Sequence, residues 1–151
     1  MRIVVQRVRT GRVDIDGLTV GEIGLGLVVL VGVEVGDSDV DAVACASKIA
    51  DLRIFRDGEG KMNRSVEDVE GGVLVVSQFT LAGDIRKGRR PSFVAAARPE
   101  EAQPLVERFC TELASRGLEV QTGVFGSMME VSLVNDGPVT IIVESREGKI
   151  L

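Results

Sequence analysis

A hydroxyl, an amide and a second hydroxyl crowd into Ser77-Gln78-Phe79-Thr80-Leu81, at the end of an otherwise apolar run. Buried, such donors need partners; turned toward a cleft, they and the surrounding backbone N–H groups would serve a ligand. A polar strand end facing water is the other reading of the same residues. Arg86-Lys87-Gly88-Arg89-Arg90-Pro91-Ser92-Phe93 sets four cations within five residues of an acidic protein, net charge -5. That loop is suited to phosphate, although a solvated charge run has the same composition. The third stretch is Asn135-Asp136-Gly137-Pro138-Val139-Thr140, placed between two predicted strands. Glycine opens unusual φ, proline fixes its own, and an X-Pro bond in a tight turn can be cis. A plain hairpin turn is the simpler alternative.

What is missing constrains the chemistry as firmly. The chain has no histidine, so no Ser-His-Asp or Cys-His pair can be built. A zinc site is excluded with it, since Cys45 and Cys110 alone cannot complete a tetrahedron. Both read as unpaired thiols in a reducing cytosol. Asp37, Asp39 and Asp41 match the first ligand positions of a calcium loop. Ala42 and Lys48 then stand where glycine and glutamate are required, so the match fails. Gly24-Leu25-Gly26 leads into a strand without a third glycine, which excludes a dinucleotide site. Gly58-Glu59-Gly60-Lys61 lacks phosphate-loop spacing and reads as a hairpin tip. No metal and no cofactor are expected.

The elements that must position these groups are mostly strands. Arg2 to Val8, Val13 to Asp16 and Leu18 to Ile23 alternate or are rich in β-branched residues, with a type I′ signal at Asp16-Gly17. Gly26 to Val33 and Val73 to Leu81 are continuous apolar runs, as for strands buried on both faces. Leu118 to Thr122, Met129 to Val134 and Val139 to Glu144 complete the set. Asp39 to Leu52 reads as a helix capped by Ser38. Ala102, Leu105, Val106, Phe109 and Leu113 repeat at helical spacing toward a stop at Gly117. Pro104 leaves two options for that helix: it starts there, or an earlier turn kinks there. Residues 1–151 read as one domain of α/β (α+β type): a mainly antiparallel sheet rolled toward a barrel, with two covering helices. With five Phe and neither Trp nor Tyr, its core must be aliphatic. No run reaches a membrane-spanning length and Met1 to Val8 holds no signal-like segment, so a cytoplasmic protein is expected. The acidic balance argues against coating nucleic acid, DNA included.

In this order, the three stretches resemble the D-aminoacyl-tRNA deacylase family. Gln6-Arg7-Val8, Leu52-Arg53-Ile54-Phe55 and Lys61-Met62-Asn63 are similar too, so the resemblance spans Met1 to about Ser145. Ala82-Gly83-Asp84-Ile85 departs from the Tyr-Ala-Asp-Thr commonly found in the family, and Arg146 to Leu151 match no motif. The resemblance implies a homodimer in which Gly137-Pro138 of one subunit, with a cis bond, enters the other's pocket. Its carbonyls would accept the substrate α-ammonium and leave no room for an L side chain, so glycyl-tRNA would also be cleaved. It implies catalysis around Ser77, Gln78, Phe79 and Thr80, with backbone N–H groups near Phe79 and Thr80 holding the oxyanion. Water would be assisted by the 2′-hydroxyl of the terminal adenosine, or Thr80 would attack as a nucleophile. Arg7, Met129 and Phe125 would support the site. Arg86, Lys87, Arg89 and Arg90 would grip the acceptor end of the tRNA. An RNA-end binding module without turnover and a purely structural dimeric β-domain are the rival readings.

Overall fold

Alternation in the N-terminal residues continues well past Val8. In a computed structural model describing residues 1–151, β1 runs Arg2–Ile15 and forms the spine of the sheet. β2 (Leu18–Ile23) folds back on its second half, and β3 (Gly26–Gly32) pairs with its first half. Asp16 and Gly17, at φ 50° and 78°, make the predicted hairpin turn, which requires positive φ at both places. After β3 come α1 (Asp39–Asp51), a small hairpin of β4 (Phe55–Arg56) and β5 (Met62–Arg64), and β6 (Gly72–Ser77). The Gly58 to Lys61 stretch is the tip of that hairpin, as expected. α2 (Pro99–Ser115), β7 (Glu119–Thr122), β8 (Glu130–Arg146) and β9 (Lys149–Ile150) complete the chain.

The sheet order is β7-β6-β3-β1-β8-β9, with β2 also on β1, curled into a half-barrel. Most pairings are antiparallel. β3–β6 and β6–β7 are parallel, because each of those links crosses over through a helix. Both helices cover one face. There Ile3, Val5, Val29, Val75, Ile49 and Phe109 form a core with almost no solvent exposure. Each such side chain contributes about 1.5–3 kcal/mol by leaving water. A smaller cluster of Val8, Val13, Ile23, Val28, Leu74 and Val76 fills the other face. Gly26 is obligatory where β3 meets β6: a Cβ there would lie 1.9 Å from the Gly72 carbonyl oxygen.

Three expectations need correction. β6 ends at Ser77, not Leu81; Phe79–Ala82 form a 3₁₀ turn. Gln78 N–H still reaches Val31 O at 2.8 Å, but its ψ of 76° takes the chain off the sheet. The residues Asn135 to Thr140 are not a hairpin between two strands. β8 runs through them as one element, and both its halves pair with β1. α2 begins five residues before Pro104, with Pro99 in its first turn, where a missing N–H costs nothing. Pro104 sits inside the helix, so it cannot donate to the carbonyl of Glu100.

The unmatched tail is held by α1. Asp41, 1% exposed, accepts from Ser145 Oγ at 2.9 Å and Gly148 N–H at 3.0 Å, and from Ser38 N–H and Oγ at its helix start. Burial alone would push its pKa up, but the bonds from Gly148, Ser145 and Ser38 outweigh it and hold it below 3.8. Its stabilisation is therefore present above that pH and lost as pH falls through the lower folded value. Asp41→Asn turns a donor toward these donors and should cost about 1–3 kcal/mol at pH 7. Urea unfolding across pH checks this: the gap between variant and native should narrow below pH 3.8.

Candidate active site

The parallel strands β3, β6 and β7 share an orientation, and a cleft of about 600 Å³ opens at their carboxyl ends. Its size is that of a small-molecule site. Ser77, Gln78 and Phe79 enter from the end of β6, Phe93 from the loop before α2, and Phe125 and Met129 from the segment after β7. Apart from Ser127 the remaining wall is apolar, and none of the lining residues carries a titratable side chain. A second cleft of about 470 Å³ adjoins it, sharing Ser77, Val106 and Phe125. Cys110 lines that one, but burial and then Glu107 push its thiol up to about 11. At neutral pH it is no nucleophile.

The 3₁₀ turn presents backbone donors. Phe79 and Thr80 are its first two residues, so the turn itself offers their N–H groups no acceptor. Leu81 N–H and Gly83 N–H, by contrast, close on Gln78 O and Thr80 O. The Thr80 side chain is exposed, and its hydroxyl accepts from Gln78 Nε2 at 2.5 Å. No base stands beside it. The Phe79 ring, 58% exposed, meets Phe93 edge-on with centroids 5.2 Å apart. Phe93 was absent from the sequence-derived site residues. That two of five Phe flank the basic loop was the available signal.

The altered segment Ala82 to Ile85 has a visible role. A Cβ at Gly83 would stand 3.1 Å from Phe93, so glycine there lets the ring close in. Asp84 pairs with Ser92 through two backbone bonds and closes the neck of the basic loop. Its carboxylate takes Arg86 in two bonds, at 2.9 and 2.7 Å, and side-chain bonding to Arg86 pushes its pKa down to about 2. Arg86 is thus neutralised locally. Lys87, Arg89 and Arg90 are exposed and form no ion pair.

Gly137-Pro138, joined by a cis bond, forms a bulge in β8. Gln6 pairs with Thr140 and Val8 with Asn135, so Arg7 alone stands opposite the four residues Asp136 to Val139. Arg7 is 2% exposed and bridges two carbonyls: Nε donates to Asp136 O at 3.0 Å and Nη1 to Ile54 O at 2.6 Å. Gly137 and Pro138 themselves face solvent. Neither they nor Arg7 line the cleft. Ser77 pairs with Val31 and Val31 with Ile3, four residues along β1 from Arg7, and β6 lies three strands from β8. One chain therefore gathers Ser77, Gln78, Phe79, Phe125 and Met129, with Thr80 at the adjoining turn, but leaves its own Gly137-Pro138 and Arg7 elsewhere.

Comparison with known proteins gives the family. The profile described as D-Tyr-tRNA(Tyr) deacylase matches residues 4–144. A D-aminoacyl-tRNA deacylase of Heliobacterium modesticaldum is 60% identical, covering 99% of both chains. The one from Thermus aquaticus is 57% identical over 97% of both. Among solved structures, one described as c-Myc DNA Unwinding Element Binding Protein superposes with a TM-score of 0.91 at 38% identity, covering 97% of this chain and 99% of that one. A probable eukaryotic D-amino acid tRNA deacylase shares the fold, with a TM-score of 0.80 at 20% identity over 93% and 97%. No helix is long and apolar enough to cross a membrane. The chain belongs to the D-aminoacyl-tRNA deacylase family and hydrolyses the ester of D-aminoacyl-tRNA.

Proposed function

We propose that this single-domain, cytoplasmic enzyme proofreads chirality as a homodimer, each cleft being completed by Gly137-Pro138 of the partner subunit. One observation carries the reading: the cleft has no titratable lining, and neither Gly137 nor Pro138 of the same chain lines it. Backbone carbonyls of the inserted bulge accept the α-ammonium of the aminoacyl group. Recognition by main-chain oxygens reads the hydrogen and side-chain positions at Cα, so an L side chain is refused. Glycine has none to refuse, and glycyl-tRNA is cleaved as well.

Hydrolysis then needs an oxyanion site and a water. The N–H groups of Phe79 and Thr80 hold the tetrahedral oxyanion, a contribution of about 3–4 kcal/mol per donor in such sites. Water adds to the ester carbonyl and the ribose 3′-oxygen leaves as a hydroxyl. The neighbouring 2′-hydroxyl of the substrate relays the proton, since the cleft supplies no base. A Thr80 nucleophile would need one, and its only side-chain partner is the amide of Gln78. Lys87, Arg89 and Arg90, with Arg86 beside them, meet acceptor-end phosphates without reading sequence. No DNA, membrane or cofactor enters this scheme.

Purified protein mixed separately with D-tyrosyl-tRNA and L-tyrosyl-tRNA tests the proposal. It requires rapid release of D-tyrosine only; equal rates on both substrates would defeat it. Thr80→Ala keeps the backbone donor and should retain activity within about fivefold, against the 10² or more lost with an oxyanion donor. Complete loss in a folded variant would favour the nucleophile instead.

A further inference from the structure

We infer that Asn135 is a positioning residue for chiral selection, the latch that fixes the shape of the Gly137-Pro138 bulge. This deepens the reading above and rests on it. The bulge has little of its own to hold it. Gly137 has no side chain and Pro138 no N–H, and three surplus residues stand where an unbroken ladder would have none. Its two ends are tied differently. At the entry, Arg7 Nε donates to the Asp136 carbonyl, and the Asp136 carboxylate lies 3.4 Å from Arg7 Nε and 3.5 Å from Arg9 Nε. At the exit the only side chain bonded to the backbone is Asn135. Its Oδ1 accepts the Val139 N–H at 3.1 Å, and its Nδ2 donates to Thr140 Oγ1 at 3.0 Å.

The orientation of that amide is fixed by chemistry. Val139 N–H can only donate, so the oxygen must face it and the NH₂ must face the hydroxyl. Gln6 Nε2 also donates to Thr140 Oγ1, at 3.3 Å, tying the latch back to β1. The Asn135 side chain thus spans the neck from the residue before Asp136 to the residue after Pro138. It closes a ring around Asp136-Gly137-Pro138. Rotation of the peptide planes within that ring is what would misaim carbonyls offered to an ammonium group. Arg7 fixes one end of the ring and Asn135 the other.

The experiment compares Asn135→Ala, Asn135→Asp and Thr140→Val by their D-to-L ratio of kcat/KM on tyrosyl-tRNA, with thermal midpoint and dimer mass measured alongside. Asn135→Ala loses both bonds and should cut the ratio at least about tenfold, as expected for carbonyls displaced by a fraction of an ångström. Asn135→Asp keeps the acceptor for Val139 N–H, and Thr140→Val spares that bond entirely, so both should stay within about threefold. A latch that only stabilised the fold would lower the thermal midpoint and leave the ratio alone; that result overturns the inference. If Asn135→Ala does not fold, Asn135→Asp decides, because loss of the ratio there despite the retained acceptor also overturns it. Gly137→Ala, run beside them, separates the two levels. An unchanged ratio in that variant removes the gate itself, whereas its collapse with Asn135→Ala unaffected removes only the latch.

Discussion

Gly137→Ala should lower kcat/KM for D-tyrosyl-tRNA about a hundredfold and erase the preference over the L ester, the scale expected when reacting groups are displaced by about 1 Å. Two independent reasons converge on that residue. Its φ of 130° lies outside what a side-chain-bearing residue adopts readily, at a cost of about 1–3 kcal/mol. A Cβ would also stand 2.9 Å from Arg7 Nη2 and 2.9 Å from Val139 Cγ2. Neither neighbour can withdraw freely. Arg7 is tied to Ile54 O and Asp136 O, and the Val139 backbone nitrogen, 3.2 Å from that Cβ, is tied to Asn135. The bulge itself must therefore move, and the carbonyls it offers move with it. Deacylation of both mirror-image substrates at equal enzyme concentration reads the effect. A D-to-L ratio equal to the native one would mean that the bulge is not the filter.

The second large effect is expected from Arg7→Ala, on stability as well as selection. The guanidinium is buried and supplies donors to Ile54 O and Asp136 O, with the Asp136 carboxylate 3.4 Å from its Nε. Truncation leaves the carbonyls of Ile54 and Asp136 without their charged donor, at about 1.5–3 kcal/mol each, while the Asp136 carboxylate keeps Arg9. For a domain of this size that lowers the thermal midpoint by roughly 10 °C. Arg7→Lys should not restore it, because one ammonium cannot reproduce two bonds in a fixed fork. Differential scanning calorimetry measures the shift, and the D-to-L ratio of the surviving folded fraction should fall with it. A lysine variant indistinguishable from the native enzyme in both readouts would show that charge alone matters there.

How far the sequence could be read depended on whether local pattern or long-range pairing decided each element. α1 was legible because Ser38, the apolar stripe and the break after Asp51 are all local signals. The Asp16-Gly17 hairpin was legible for the same reason: the turn type and its residues demand each other. The Gly-Pro segment was not. Its composition is that of a hairpin turn, and only the uninterrupted pairing of β1 with both halves of β8 makes it a bulge. Ser77 to Leu81 misled similarly, since Phe79, Thr80 and Leu81 have good strand propensity while the ladder ends at Val31. Pro99 was a readable helix start, overlooked because the apolar periodicity begins at Ala102.

The site divided along the same line. Ser77 and Gln78 announced themselves by polarity at the end of an apolar run, and the cleft contains both with the adjoining Phe79. Phe125 and Met129 came only through the resemblance, yet both line its wall. Phe93 reaches the cleft through the fold of the 84–92 loop, closed by backbone bonds that no side-chain pattern records. Four cations between Arg86 and Arg90 looked equivalent in the sequence; Asp84 distinguishes Arg86 from the other three.

Subunit mixing tests the central claim most directly. Gly137→Ala keeps an intact cleft with a damaged bulge. Phe79→Pro keeps the bulge but deletes one oxyanion donor, at a turn position where proline fits. Each alone should be nearly inactive on D-tyrosyl-tRNA. Unfolded and refolded together, half the dimers pair one chain of each kind, and one site per mixed dimer combines a sound cleft with a sound bulge, so about a quarter of native activity should return. No recovery, with mixed dimers confirmed by mass, would mean that each chain filters handedness for itself.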